Sequence, residues 1–283
     1  MSGNSFGSRW IAGAVTAACL AFGGAATVQA QEGEWYIGAN MPLMFIDDSD
    51  SNANTSFSSP QGPIELQSTV RSKHDTGFKL GAVLGHHLES NLRVEGEIFF
   101  ARAEVSRLTH TGISLPGLPL PPDLLGDVDI PVSGTGDQFG AMVNLWYDFD
   151  TGDNWTPYVG GGLGLIRIDQ SDLSYDPNAV KNAISQRAAM AAAQNPQLLA
   201  ALAGLRPLQA ADVPRLSTAD TAFAYQVGAG IGYALSDTAT LNIGYRLQAL
   251  DGLSFSADNG MVSTTTETDL RIHFLEIGIR QLF

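Results

Sequence analysis

Residues Phe223-Ala224-Tyr225-Gln226-Val227-Gly228-Ala229-Gly230-Ile231-Gly232-Tyr233 alternate without a break. Phe223, Tyr225, Val227, Ala229, Ile231 and Tyr233 take one side of an extended chain, and Gln226, Gly228, Gly230 and Gly232 take the other. Side chains of a strand point to opposite faces in turn, so this segment is a strand with one continuous apolar face. Its length matches a tilted strand that crosses a bilayer, which needs about 10 residues. After the short turn 236–239, Leu241, Ile243, Tyr245 and Leu247 oppose Asn242, Gly244, Arg246 and Gln248 in the same way.

The pattern recurs outward from this pair. Trp35, Ile37, Ala39, Met41, Leu43 and Phe45 share one face of a first segment; Phe78, Leu80, Ala82 and Leu84 share a face of a second, with Gly77, Lys79, Gly81 and Gly85 opposite. Leu92, Val94, Ile98 and Phe100 oppose Arg93, Glu95 and Glu97, and Phe139 to Phe149 alternate against Gly140, Asn144 and Asp148. Trp155 to Leu165 forms a fifth segment, and Leu275, Ile277 and Ile279 lead to the terminal Phe283, with Glu276, Gly278 and Arg280 on the other face. Eight such segments are a far stronger signal than one. Their connections alternate in length: 88–91, 150–154 and 236–239 are tight and polar, whereas 47–74, 105–136, 169–220 and 251–268 are long. Short turns on one side and long loops on the other are the pattern of an outer-membrane barrel. Trp35, Tyr36, Trp146, Tyr147, Phe149, Trp155, Tyr158, Tyr233 and Phe283 all fall at the short-turn ends or the termini, where lipid-facing aromatic rings would form an interfacial girdle. The reading is all-β: one eight-stranded antiparallel up-and-down transmembrane barrel, closed because no strand edge can be left unpaired in lipid.

Composition agrees. Charged residues are 16% of the chain and hydrophobic residues 44%, a charge content below the roughly 25% usual in soluble domains. Past the N-terminus no stretch is apolar for the about 20 residues of a membrane helix. Residues 1–30 read as a secretory signal: Arg9, an apolar and small-residue run from Trp10 to Ala26, and the cleavage motif Val28-Gln29-Ala30. The expected domains are this signal and a barrel over 31–283. Cys19 is the only cysteine and lies within the signal, so the exported chain has no disulfide or thiolate chemistry. Removing Arg9 leaves 14 basic against 29 acidic residues, a net charge of −15 instead of −14. Such a chain does not bind nucleic acid non-specifically.

Gln31 to Ala39, Trp155 to Gly164 and Leu270 to Phe283 together resemble small outer-membrane β-barrel proteins, the porin-family surface proteins and surface antigens similar to the transmembrane domain of OmpA. The resemblance covers essentially the whole chain after residue 30. It implies that the terminal strand and Phe283 are read by the outer-membrane assembly machinery, and that the barrel sits among outer-membrane lipid and lipopolysaccharide.

The third long loop departs from the simplest members. Asp176-Pro177 has the form of a helix start, with Asp as cap and Pro in the first position, and 178–194 is rich in Ala. A second short helix is expected from Pro196, with Leu198, Leu202 and Leu205 on one face, capping the barrel mouth or presenting a groove. The segment 112–131 is expected to be extended or irregular.

Lys79, Arg93, Glu95, Glu97, Asn144, Gln226, Arg246, Glu276 and Arg280 all point inward by parity. A barrel of this size is just wide enough to be filled by side chains, and confined charges must pair, so the expectation is an ion-pair plug; the sharper alternative is a narrow charged pore. The five histidines fit no zinc spacing. His273 falls on the lipid side near the outer edge with no Ser at a matching neighbour, which disfavours a lipid-modifying enzyme. Gly160 to Gly164 lacks the Gly-Lys-Ser/Thr of a phosphate loop and reads as close packing. Asp251, Asp258, Glu267 and Asp269 read as a solvated acidic loop. No catalytic residue, metal ligand or cofactor is expected. The leading function is a non-enzymatic surface protein that stabilises the envelope or offers its loops to a host or surface ligand; the alternatives are a small porin and, remotely, a lipid-modifying enzyme.

Overall fold

In the computed structural model, which describes residues 33–58, 62–88, 91–114, 116, 126–170, 174–196 and 219–283, the strands form one antiparallel sheet that closes into a ring of eight walls. The first wall is made of β1 (Trp35–Asn40), β2 (Leu43–Ile46) and β3 (Ser49–Phe57), and the second of β4 (Ile64–His74) and β5 (Gly77–His87). Then come β6 (Leu92–Ser114), β7 (Val128–Asp148) and β8 (Trp155–Asp169), one wall each. β9 (Ser174–Tyr175) and the helix α1 (Pro177–Gln194) follow, outside the ring, before the last three walls, β10 (Ala219–Ala234), β11 (Ala239–Asp258) and β12 (Val262–Leu282). The seam joins first and last walls: Tyr36 lies opposite Leu282 and Asn40 opposite Gly278, and the Phe283 amide donates to the Trp35 carbonyl at 3.0 Å.

The outward residues are those that the alternation assigns to the apolar face. Ile98, Phe139 and Val143 are 67%, 65% and 62% exposed, values that no aqueous surface explains for a belt of this width. The girdle forms at the short-turn end, with Trp155 against Tyr233 at 4.5 Å and Tyr147 against Phe149 at 5.0 Å. Tyr36, Trp146 and Tyr158 turn the other way and are buried. A charge in the middle of the belt has no water to reach: Val143→Arg is expected to destabilise the barrel by about 2–4 kcal/mol, measured as a lower urea midpoint in vesicles, whereas the same change at exposed Gln67 on β4, beyond the belt, leaves it nearly unmoved.

Three expectations need correction. First, the initial strand is broken at Met41-Pro42, because proline has no N–H for the ladder; the Pro42 carbonyl still accepts from the Lys79 amide at 3.0 Å, so the wall stays continuous. Second, much of 47–74, 105–136 and 251–268 is strand rather than loop. β3 pairs with β4 from Ser49–Ser72 to Phe57–Ile64, β6 runs to Ser114, and β11 and β12 pair out to Asp258 and Ser263. These hairpins rise past the belt, where the outer face meets water, so their polar sequences carry no apolar alternation. Third, Val128–Pro131, the end of the segment expected to be extended or irregular, is extended and also paired, with β6. The loop helix forms as α1, with the Asp176 carboxylate accepting from the Asn178 amide at 2.9 Å and Pro177 in the first turn. Residues 1–30 and the apolar face Leu198, Leu202, Leu205 lie outside the described residues.

Candidate functional site

The lumen holds the polar side chains that a membrane barrel cannot turn outward. Lys79, Arg93, Glu95, Glu97, Asn144, Gln226, Arg246, Glu276 and Arg280 are all buried inside it, together with Asp148, Asn40 and Gln248. The four basic residues Lys79, Arg93, Arg246 and Arg280 meet the four acidic residues Glu95, Glu97, Asp148 and Glu276, so these charges sum to zero.

Glu97 is the centre. Its Oε1 lies 2.7 Å from Lys79 Nζ and its Oε2 2.8 Å from an Arg246 nitrogen. Asn144 Nδ2 also donates to it, at 3.3 Å. Arg246 extends the chain to Glu276, donating through Nη2 at 2.8 Å, and lies over Trp146 at 4.8 Å. Nearer the short turns, Arg93 donates to Asp148 at 2.7 Å and to the Tyr36 hydroxyl at 3.0 Å, and that hydroxyl donates to Glu95 at 3.0 Å. Arg280 has no carboxylate within ion-pair distance among the described residues; it lines a polar cavity of about 20 Å³ with Arg93, Glu95, Arg246 and Glu276, room for about one water. Gln226 Nε2 donates to Asn144 Oδ1 at 2.6 Å and locks the amide into the network.

On the long-loop side of this network lies an apolar layer absent from the sequence reading. Met44, Phe99, Met142, Ile166, Leu250 and Phe274 are buried within the ring. Lys79 Nζ sits 4.0 Å from the centre of the Phe99 ring, where the two layers meet. The signal was available: Ile98-Phe99-Phe100 and Phe274-Leu275 are apolar on both faces, so one face of each had to enter the lumen. Asn40, Tyr36, Trp146 and Asp148 join the interior network as well, and each has the inward parity.

The other sequence features resolve into local roles. His273 is on the outer face, with Asp47 at 3.0 Å from Nε2 and the Tyr245 hydroxyl against Nδ1. Both ring nitrogens are engaged by side chains of the chain itself. His74 and His110 lie in the hairpins beyond the belt, where burial pushes both imidazoles below their usual value. In the acidic loop, Asp251 accepts from Arg271 at 2.9 Å, Asp269 from the Gly252 amide at 2.9 Å and Asp258 from the Gly260 amide at 2.6 Å; turn-making and one ion pair account for these three. Among the described residues no three His, Cys, Asp or Glu side chains converge as a metal site.

The model of the outer membrane protein beta-barrel domain family matches residues 14–279. No curated protein matches the sequence. Among solved structures, Neisserial surface protein A is 16% identical, with a TM-score of 0.41 over 88% of this chain and 97% of that one. The outer membrane protein OprG from Pseudomonas aeruginosa is 14% identical, with a TM-score of 0.47 over 90% and 99%. Ail, the attachment invasion locus protein of Yersinia pestis, is 10% identical, with a TM-score of 0.31 over 89% and 100%.

Proposed function

Since the chain belongs to the outer membrane protein beta-barrel domain family and resides in the outer membrane, we propose that it is a non-enzymatic, non-conducting surface protein that stabilises the envelope and holds its long-loop hairpins outside the cell. The observation that carries this reading is the neutral ion-pair network centred on Glu97. A conducting lumen needs a continuous water path, and here Lys79 and Arg246 close on Glu97, and Arg246 goes on to Glu276. The apolar layer of Phe99, Met142, Ile166 and Phe274 beyond it would have to be wetted as well. The exposed hairpins β3–β4, β6–β7 and β11–β12 then offer the surface on which a host or surface ligand would dock. In this reading Phe283, 73% exposed at the seam, is the residue that the assembly machinery recognises.

The test is planar-bilayer conductance of refolded 31–283, with and without residues 177–210. Silence from both proteins is expected. Discrete, ion-selective steps from the intact chain would replace this reading with a porin, and steps only after the deletion would make the loop a lid. A reproducible change in lipid A species on expression would sink the non-enzymatic part separately.

A further inference from the structure

Four basic residues face outward on the adjoining strands β4 and β6 at the rim of the apolar belt or beyond it: Arg71, Lys73, Arg102 and Arg107. Two of them are satisfied within the chain. Arg71 forks onto Asp50 at 2.8 Å and 3.1 Å, and Arg102 is held by Asp137. The other two stand directly opposite each other, Lys73 across from Arg107. Both are exposed, and neither has an acidic partner among the described residues. Their outward direction follows from their neighbours: Val70 and Val105 are buried on the inner face, and Leu108 packs there too.

Directly opposed like charges destabilise a strand pair, with side chains about 5 Å apart. A chain with a net charge of −14 has acidic residues to spare, yet Glu104 and Asp75, on the membrane side of the pair, make no ion pair with it. We propose that Lys73 and Arg107 clasp a phosphate group carried by an outer-leaflet glycolipid. Height selects this source. Arg102 lies against Phe100 at the rim of the belt, 5.6 Å from its ring. Five residues farther along a tilted strand, Arg107 stands roughly 12 Å above the hydrocarbon. Phosphorylated sugars of a glycolipid headgroup face the wall there, and both long side chains can bend down toward them.

The test uses the chain refolded in phosphatidylcholine nanodiscs with increasing mole fractions of intact or dephosphorylated lipopolysaccharide, read as the rise in Tm. Intact lipopolysaccharide should raise Tm, and the dephosphorylated form should not. Either Lys73→Gln or Arg107→Gln should raise the half-effective mole fraction about fivefold, and the double variant roughly thirtyfold, since each basic group near an anionic surface contributes about one such factor. Lys73→Arg should behave as wild type, and Arg71→Gln should keep the response, which separates the clasp from general surface charge. An equal rise in the double variant would overturn the assignment. So would an equal rise from the dephosphorylated form, or the full effect from inorganic phosphate without glycolipid.

Discussion

Replacing Glu97 with alanine is expected to destabilise the barrel by about 3–5 kcal/mol, the usual effect of leaving buried charges without their partner. Glu97 is fully buried, as is Lys79, and it joins a cation of the neighbouring wall β5 to one of the distant wall β11. Its removal leaves Lys79 between the Phe99 and Phe274 rings, at 4.0 Å and 4.9 Å, with no carboxylate in contact. Arg246 keeps Glu276, so the loss falls mainly on Lys79. Urea unfolding in vesicles, followed by tryptophan fluorescence, reads the effect. A second substitution identifies the cause: Lys79→Met added to Glu97→Ala should recover part of the loss, because an apolar side chain suits the two rings better than an orphaned ammonium. A loss below about 1 kcal/mol for Glu97→Ala alone would mean that water already reaches the cluster, and the non-conducting reading would weaken with it.

The parity of these side chains was legible because period two is a local property. Once the strands are recognised, Lys79, Glu97, Arg246 and Glu276 must share the inside, whatever their neighbours. Their pairing was not legible. Glu97 and Arg246 are 149 positions apart, and only the register of intervening walls brings them together. The apolar layer was hidden for a different reason: Phe99 and Phe274 stand next to outward apolar residues, and alternation disappears where both faces are apolar. The hairpins beyond the belt were hidden by the converse, since Ser49–Phe57 is polar on the face that meets water and small on the face that packs. α1 was legible because its start is written locally in Asp176-Pro177.

The glycines of β8 give the second large effect, and Gly162→Val is expected to abolish refolding or to cost about 3 kcal/mol or more, at the upper end of overpacking penalties. Gly160, Gly162 and Gly164 face the lumen across from bulky residues of β7. Opposite Gly160 is Trp146, opposite Gly162 is Asn144, and opposite Gly164 is Met142. A Cβ on Gly162 would overlap Asn144 Oδ1 and stand 2.6 Å from the Val143 carbonyl. The amide cannot swing away, because Oδ1 accepts from Gln226 and Nδ2 donates to Glu97. The carbonyl cannot yield without opening the ladder between β7 and β8. An added methyl therefore acts on the same network as the loss of Glu97, from the opposite wall. Gly96 on β6 supplies the control. Its Cβ would point outward, with nothing nearer than the Leu84 carbonyl at 3.8 Å, so Gly96→Ala should stay within about 0.5 kcal/mol of wild type. The fraction of heat-modifiable, folded barrel on a gel measures all three proteins side by side. If Gly162→Val folds as well as Gly96→Ala, Asn144 does not fill the space opposite Gly162, and the close-packed lumen on which the non-conducting reading depends is wrong.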